Sequence, residues 1–270
     1  MSYKVKEFKK KYVRRFAGVA DLHVGSGYAI LPKMVSLREG GSLYPSPEEE
    51  LIWSYWKDFN DQCNELEVDT AIINGDIIHG TNHKDDGRSV IFGKINLQIE
   101  VAVEILRPFC NGRQSWFFQG SEYHSGSPNN DFEENICKEL KGEWFGQSAT
   151  IGIKPINKVI QITHATSTSP KEEIKTVDAN KGVEKGPKID LLIKAHKHGY
   201  FCFQTDSATV VQLPCWTGFE PSRITRKREN EYLYTHTIGG VLFLFDEKGN
   251  LEVKPILKTR KGEPYRVVKK

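Results

Sequence analysis

Histidines and aspartates recur at the ends of apolar runs in this chain, and that placement constrains the possible folds more than any other feature. Asp21 and His23 follow the run 16–20, Asp76 follows 70–74, His164 follows 159–163, and His196 with His198 follow 189–195. Short apolar runs bounded by polar residues read as buried strands. Open α/β sheets place their reactive groups in loops just past the carboxyl ends of strands, where a rigid scaffold meets solvent. Asp21-Leu22-His23, Gly75-Asp76, His164 and His196-Lys197-His198 are each common alone. Their joint placement at four strand exits predicts a mixed α/β chain with its polar site in the loops past those exits.

The residue types point to a chemistry. Imidazole and carboxylate suit zinc, manganese, iron or nickel, and two such ions ~3.5–4 Å apart clamp the attacking and leaving oxygens of a displacement. Of the eight histidines, His23, His164, His196 and His198 fill the strand exits, which leaves His79, His83, His124 and His236 for other roles.

In order and type these motifs resemble the calcineurin-like metallophosphoesterase superfamily, whose pattern runs Asp-x-His, Gly-Asp, Gly-Asn-His-Asp/Glu, His, Gly-His-x-His. The resemblance covers about residues 15–200 and, through the flanking strands, extends to the whole chain. It implies one domain over residues 1–270 with a four-layer αββα sandwich of two mixed β-sheets. It also implies a metal-dependent phosphoesterase that hydrolyses phosphate esters with two divalent ions, manganese favoured over iron, zinc or nickel, and a hydroxide bridging them. Carried over residue by residue, Asp21, His23, Asp76 and His198 would hold one ion. Asp76, His164 and His196 would hold the other, with Asp76 shared.

Two positions depart from the family pattern. Ala195 stands where the family has Gly, a difference of one methyl. Gly120-Ser121-Glu122-Tyr123-His124 replaces Gly-Asn-His after the apolar run 116–118. The preferred reading makes Glu122 a ligand of the second ion and His124 the acid that protonates the leaving oxygen; in the alternative, Glu122 is a solvated carboxylate and the ligand role returns to Ser121 or to water. A nucleophilic side chain is not needed by this chemistry, so Cys215 reads as a packing residue.

A nuclease is the second functional reading, because the segments 20–23 and 75–79 are similar to those of the double-strand-break-repair nucleases of this superfamily. Residues 1–15 carry a net charge of +6 and residues 251–270 a net +5 against a total of +3, which leaves −8 for the remainder. Basic ends would attract a polyanion, but solvated charged termini are the commoner case. The cluster Arg223, Arg226, Lys227 and Arg228 lies closer to the ligand motifs. The third reading is a non-catalytic scaffold, as in the retromer subunit that resembles these enzymes; the seven retained ligand candidates speak against it. A phosphate-ester substrate is the partner expected, nucleic acid the alternative, and the oligomeric state stays open.

Five scattered cysteines, odd in number and without Cys-x-x-Cys spacing, suggest neither disulfides nor a thiolate metal site. A charged N-terminus and the lack of a long apolar run lead to a cytoplasmic, membrane-free expectation. Helices are predicted over 47–68, 91–110 and 130–140. The first is capped by Ser46 with Pro47 at its first position, and Leu51, Ile52, Tyr55, Trp56, Phe59, Cys63 and Leu66 lie on one face. Strands are predicted over 200–204, 209–213, 240–245 and 251–257. The segments 24–45 and 79–88 read as long irregular loops, the second rimming the site, and 170–188 as a solvated loop or short exposed helix.

Overall fold

The computed structural model describes residues 11–32, 34–36, 40–81, 90–127, 130–164, 188–205, 208–218 and 237–258. His83, His236, the cluster from Arg223 to Arg228, and most of 170–188 lie outside the described residues, as do most of the basic ends.

Fifteen strands and four helices make up the described residues. In chain order they are β1 (Tyr12–Val19), β2 (Val35–Ser36), β3 (Ser42–Leu43), α1 (Pro47–Glu65), β4 (Thr70–Asn74), α2 (Ile95–Cys110), β5 (Gln114–Phe118), α3 (Glu122–Ser125), β6 (Gly126–Ser127) and β7 (Asn130–Asp131). There follow α4 (Phe132–Glu139), β8 (Glu143–Trp144), β9 (Ser148–Ile153), β10 (Lys158–Thr163), β11 (Leu191–Lys194), β12 (Phe201–Gln204), β13 (Thr209–Gln212), β14 (Ile238–Asp246) and β15 (Leu251–Lys258). One sheet has the order β15-β14-β1-β4-β5-β8 and the other β12-β13-β11-β10-β9. Both are mixed: β1, β4, β5 and β8 run parallel, β14 pairs antiparallel with β1 and β15 antiparallel with β14, while β10, β11 and β13 run parallel between two antiparallel edge strands.

Strand alternation sorts the core into layers. Successive side chains point to opposite faces, so Ala17, Val19, Ala71, Ile73 and Phe117 face the helices, where they meet Ile52, Phe59, Val101, Phe109 and Ile136. Their neighbours Phe16, Ile72, Trp116 and Phe118 face the second sheet and pack on Ile160, Ile162, Leu191, Ile193 and Val211. The far face of the second sheet carries a small cluster of Ile189, Leu192, Ala208 and Val210. The described residues thus form a helix layer and two packed sheets.

Helix α1 starts where its sequence says it should. Ser46 Oγ accepts from the Glu49 N–H at 3.3 Å while Glu49 Oε2 accepts from the Ser46 N–H at 2.7 Å, a reciprocal cap over Pro47. Its buried stripe packs aromatic to aromatic, with Trp56 edge-on to Trp216 at 4.8 Å and 5.5 Å from Phe109. Leu51, placed on this face by spacing, instead lies at its exposed margin. Among the described residues no helix is long and apolar enough to cross a membrane. None of the five cysteines is in a disulfide.

Candidate metal centre

The loops that leave the parallel strands are stitched together before they diverge. Past β1 and β4, the N–H groups of Asp21, His23 and Val24 donate to the carbonyls of Gly75, Asp76 and Ile77 at 2.9–3.0 Å. Asn74 Nδ2 donates across to the Thr163 carbonyl at 3.0 Å, and the His196 N–H donates to Asp21 Oδ2 at 3.0 Å. The exits of both sheets are thereby fixed to one another.

The close approach of β4 and β5 depends on two glycines. A Cβ on Gly75, whose φ is +74°, would meet Gly120 Cα at 2.5 Å, and one on Gly120 would meet the Asp76 nitrogen at 2.2 Å. Asp21, His23, Asp76, His196 and His198 all have φ between 46° and 80°. A side chain in the left-handed region costs ~1–2 kcal/mol, and five such residues in one place is the pattern of strain held at a functional site.

Two groups of ligand atoms result. In the first, Asp21 Oδ1 lies 3.9 Å from His23 Nε2 and 3.5 Å from His198 Nε2, and the two imidazole nitrogens are 3.1 Å apart. In the second, Asp76 Oδ2 lies 3.0 Å from His164 Nε2 and 3.7 Å from His196 Nδ1. Asp21 Oδ1 is also 3.8 Å from His164 Nε2, so it stands between the groups. Asp21 Oδ1 thus faces imidazoles of both groups, and Asp76 Oδ2 faces those of the second. Ser121 donates to Asp76 Oδ1 from its N–H at 2.7 Å and from its hydroxyl at 3.0 Å, and the hydroxyl also lies 3.3 Å from Oδ2.

These residues fit divalent cations. Asp21 Oδ1 is buried without a hydrogen-bond donor, a costly state for a carboxylate unless a cation satisfies it. His164 Nδ1 lies 2.6 Å from the Asn74 carbonyl, which can only accept, so Nδ1 carries the hydrogen and Nε2 is the atom turned to Asp76. A carbonyl behind an imidazole is how metal-ligating histidines are oriented. Burial opposes charge on both members of the Asp76–His164 pair. Their mutual attraction prevails, holding the Asp76 carboxyl well below its usual range and raising His164 to about 10. Burial, then the neighbouring His124 and His198, push His23 well down.

The altered third motif lies differently from its expected roles. Glu122 opens the one-turn helix α3 with its side chain exposed, and among the described residues it joins none of the three groups of converging ligand atoms. The ligand role expected for it therefore has no support in its placement, because α3 directs the polypeptide so that Ser121, not Glu122, meets Asp76. His124 is buried at the centre, with Nδ1 2.7 Å from the His79 carbonyl. Nδ1 therefore carries the hydrogen, and burial pushes the imidazole below its ordinary pKa. Cys215 is buried with Sγ near the carbonyls of His198, Thr217 and Thr237, in keeping with a packing role.

Three contributors escape a reading of sequence alone. Glu133 is wholly buried and accepts from the Ile77 N–H at 2.7 Å and the Gly120 N–H at 2.6 Å, clamping the β4 and β5 exits. In sequence it is indistinguishable from the acidic residues that favour any helix start. Asn74 orients His164, yet it reads as the last residue of a strand. His79, left without a role by its motif, lies 4 % exposed beside His23 and His124.

No family model matches the chain, and no curated protein matches it. Among solved structures it is similar to an archaeal phosphodiesterase, at 13 % identity and a TM-score of 0.47, over 90 % of this chain and 99 % of that one. A dimetal phosphatase from Danio rerio gives 10 % identity and a TM-score of 0.47 over 90 % and 96 %. Vps29 from Entamoeba histolytica, solved with zinc, gives 12 % and 0.43 over 90 % and 98 %.

Proposed function

We propose that this chain is a metal-dependent phosphoesterase with two divalent cations, one held by Asp21, His23 and His198 and the other by Asp76, His164 and His196, with Asp21 between them. The observation that carries this reading is Asp21 Oδ1, buried without a donor yet within 3.9 Å of imidazole nitrogens from both groups. When bound, two such ions supply an activated water and neutralise the phosphoryl oxygens of an ester during in-line displacement.

The polypeptide does the positioning. Asn74 fixes the tautomer of His164, Ser121 holds Asp76, and the His196 N–H fixes the second oxygen of Asp21. The His196 side chain is 41 % exposed, against 6 % or less for Asp21, Asp76, His23 and His164, so the ester approaches over His196. Two carboxylates lie buried at the floor, and an anionic substrate is accepted only once cations are in place.

Metal content of the purified protein, measured beside a panel of nitrophenyl monoesters, nitrophenyl diesters, cyclic nucleotides and DNA, tests the reading. Two equivalents of a transition metal with chelator-sensitive ester hydrolysis are expected. Two equivalents without hydrolysis of any substrate would leave a binding scaffold; cleavage of DNA alone would make the chain a nuclease.

A further inference from the structure

We propose that His23, His79 and His124 form an all-imidazole position for a zinc-class cation, an alternative seat for the ion that otherwise lies between Asp21, His23 and His198. The inference rests on the reading of this edge as a metal centre. It adds a third set of ligands to that centre.

One ligand atom from each of these three histidines lies within 4.8 Å of the other two. The residues are 3 %, 4 % and 6 % exposed. Ring centroids are 4.4 Å apart for His23 and His124, 5.2 Å for His79 and His124, and 5.5 Å for His23 and His79. Tetrahedral zinc with nitrogens at ~2.0–2.1 Å separates its ligands by roughly 3.4 Å, a small side-chain adjustment from this arrangement.

The tautomer of His124 is set for this use. Its Nδ1–H donates to the His79 carbonyl at 2.7 Å, the same arrangement by which His164 donates to the Asn74 carbonyl, so in both rings Nε2 is the ligand atom. The His79 backbone is itself held firmly. Its N–H donates to the Val24 carbonyl at 2.9 Å, and buried Gln98 grips the next residue through Oε1 to the Gly80 N–H and Nε2 to the Gly80 carbonyl. His23 Nδ1 is buried with no hydrogen-bond partner.

Ligand type sets the selectivity. Three imidazoles and no carboxylate suit zinc, copper or nickel and not magnesium or calcium, whereas the sets containing Asp21 or Asp76 also accept harder ions. Because His23 belongs to both its sets, the all-imidazole position fills in place of the Asp21–His23–His198 position, not in addition to it. Total zinc therefore stays at two equivalents.

Zinc equivalents counted by equilibrium dialysis of the full-length protein test this. Wild type should hold two. His198→Asn disables the Asp21–His23–His198 set but should still hold two, because the ion moves to His79 and His124; adding His79→Asn and His124→Asn should reduce the count to one. A single equivalent in His198→Asn would overturn the proposal while leaving the two-ion reading intact, whereas no zinc in wild type would overturn both. Cobalt substitution gives a second readout in the His198→Asn background. Its visible spectrum should change on adding His124→Asn, and an unchanged spectrum would equally overturn the proposal.

Discussion

Ser121 donates to the Oδ1 of Asp76 from its backbone N–H at 2.7 Å and from its hydroxyl at 3.0 Å. A residue aligned with a ligand position of the superfamily motif thus serves a ligand from behind. Ser121→Ala removes the hydroxyl donor and keeps the N–H, so the carboxylate gains freedom to turn. The expected result is a loss of ~1 kcal/mol in stability and about tenfold weaker binding of the second ion, read by thermal melting and dialysis. Unchanged affinity would mean that the hydroxyl plays no part in holding Asp76.

Glu122 offers the opposite case. Exposed on the first turn of α3 and outside the three ligand groups, it should be dispensable. Glu122→Ala is expected to change metal affinity less than twofold, since exposed substitutions generally stay within ~0.5 kcal/mol. A tenfold weakening in a metal titration would restore it as a ligand.

At Asp76 the backbone and the charge make separable demands. Its φ of +50° is tolerated by Asn and Asp far better than by β-branched residues. Asp76→Asn should therefore fold and lose the second ion together with activity, whereas Asp76→Val should lose ~1–2 kcal/mol or more of stability as well. Circular dichroism with metal analysis separates the two outcomes. Full ion occupancy in Asp76→Asn would remove Asp76 from the ligand set.

How much of this was legible in sequence varies from element to element. Strands β1, β4, β10 and β11 are short apolar runs ending in Asp or His, so their exits and ligands could be read together. β9 escaped because Ser148-Ala149-Thr150-Ile151-Gly152-Ile153 carries little apolar signal on its exposed edge. Distances hidden from sequence decided the rest. Motif order gives the shared carboxylate to Asp76, and it carries no sign that Asp21 Oδ1 also comes within 3.9 Å of imidazoles from both groups. The left-handed φ angles at Asp21, His23, Asp76, His196 and His198 have no sequence signature either, since none of these residues is glycine.

Glu133 allows the polypeptide clamp to be tested through pH. Burial first, and the charge of Asp76 second, raise its carboxyl to about 8, although the Ile77 and Gly120 N–H groups partly offset this. A carboxyl with its folded pKa raised above the unfolded value contributes stability below about 4.5 that is lost as pH rises through about 8. The metal-free protein should therefore lose stability across that window, on the order of a few kcal/mol. Cations beside Asp76 neutralise its charge, so the stability difference between loaded and metal-free protein should widen as pH rises. Glu133→Gln keeps the shape but turns an amide N–H toward a backbone N–H, at a cost of about 1–3 kcal/mol. It also removes one titrating group, so denaturant titrations of metal-free Glu133→Gln between pH 5 and 8.5 should show a shallower decline than wild type. Parallel declines in the two proteins would show that Glu133 does not titrate in this range and that its role is confined to the two hydrogen bonds.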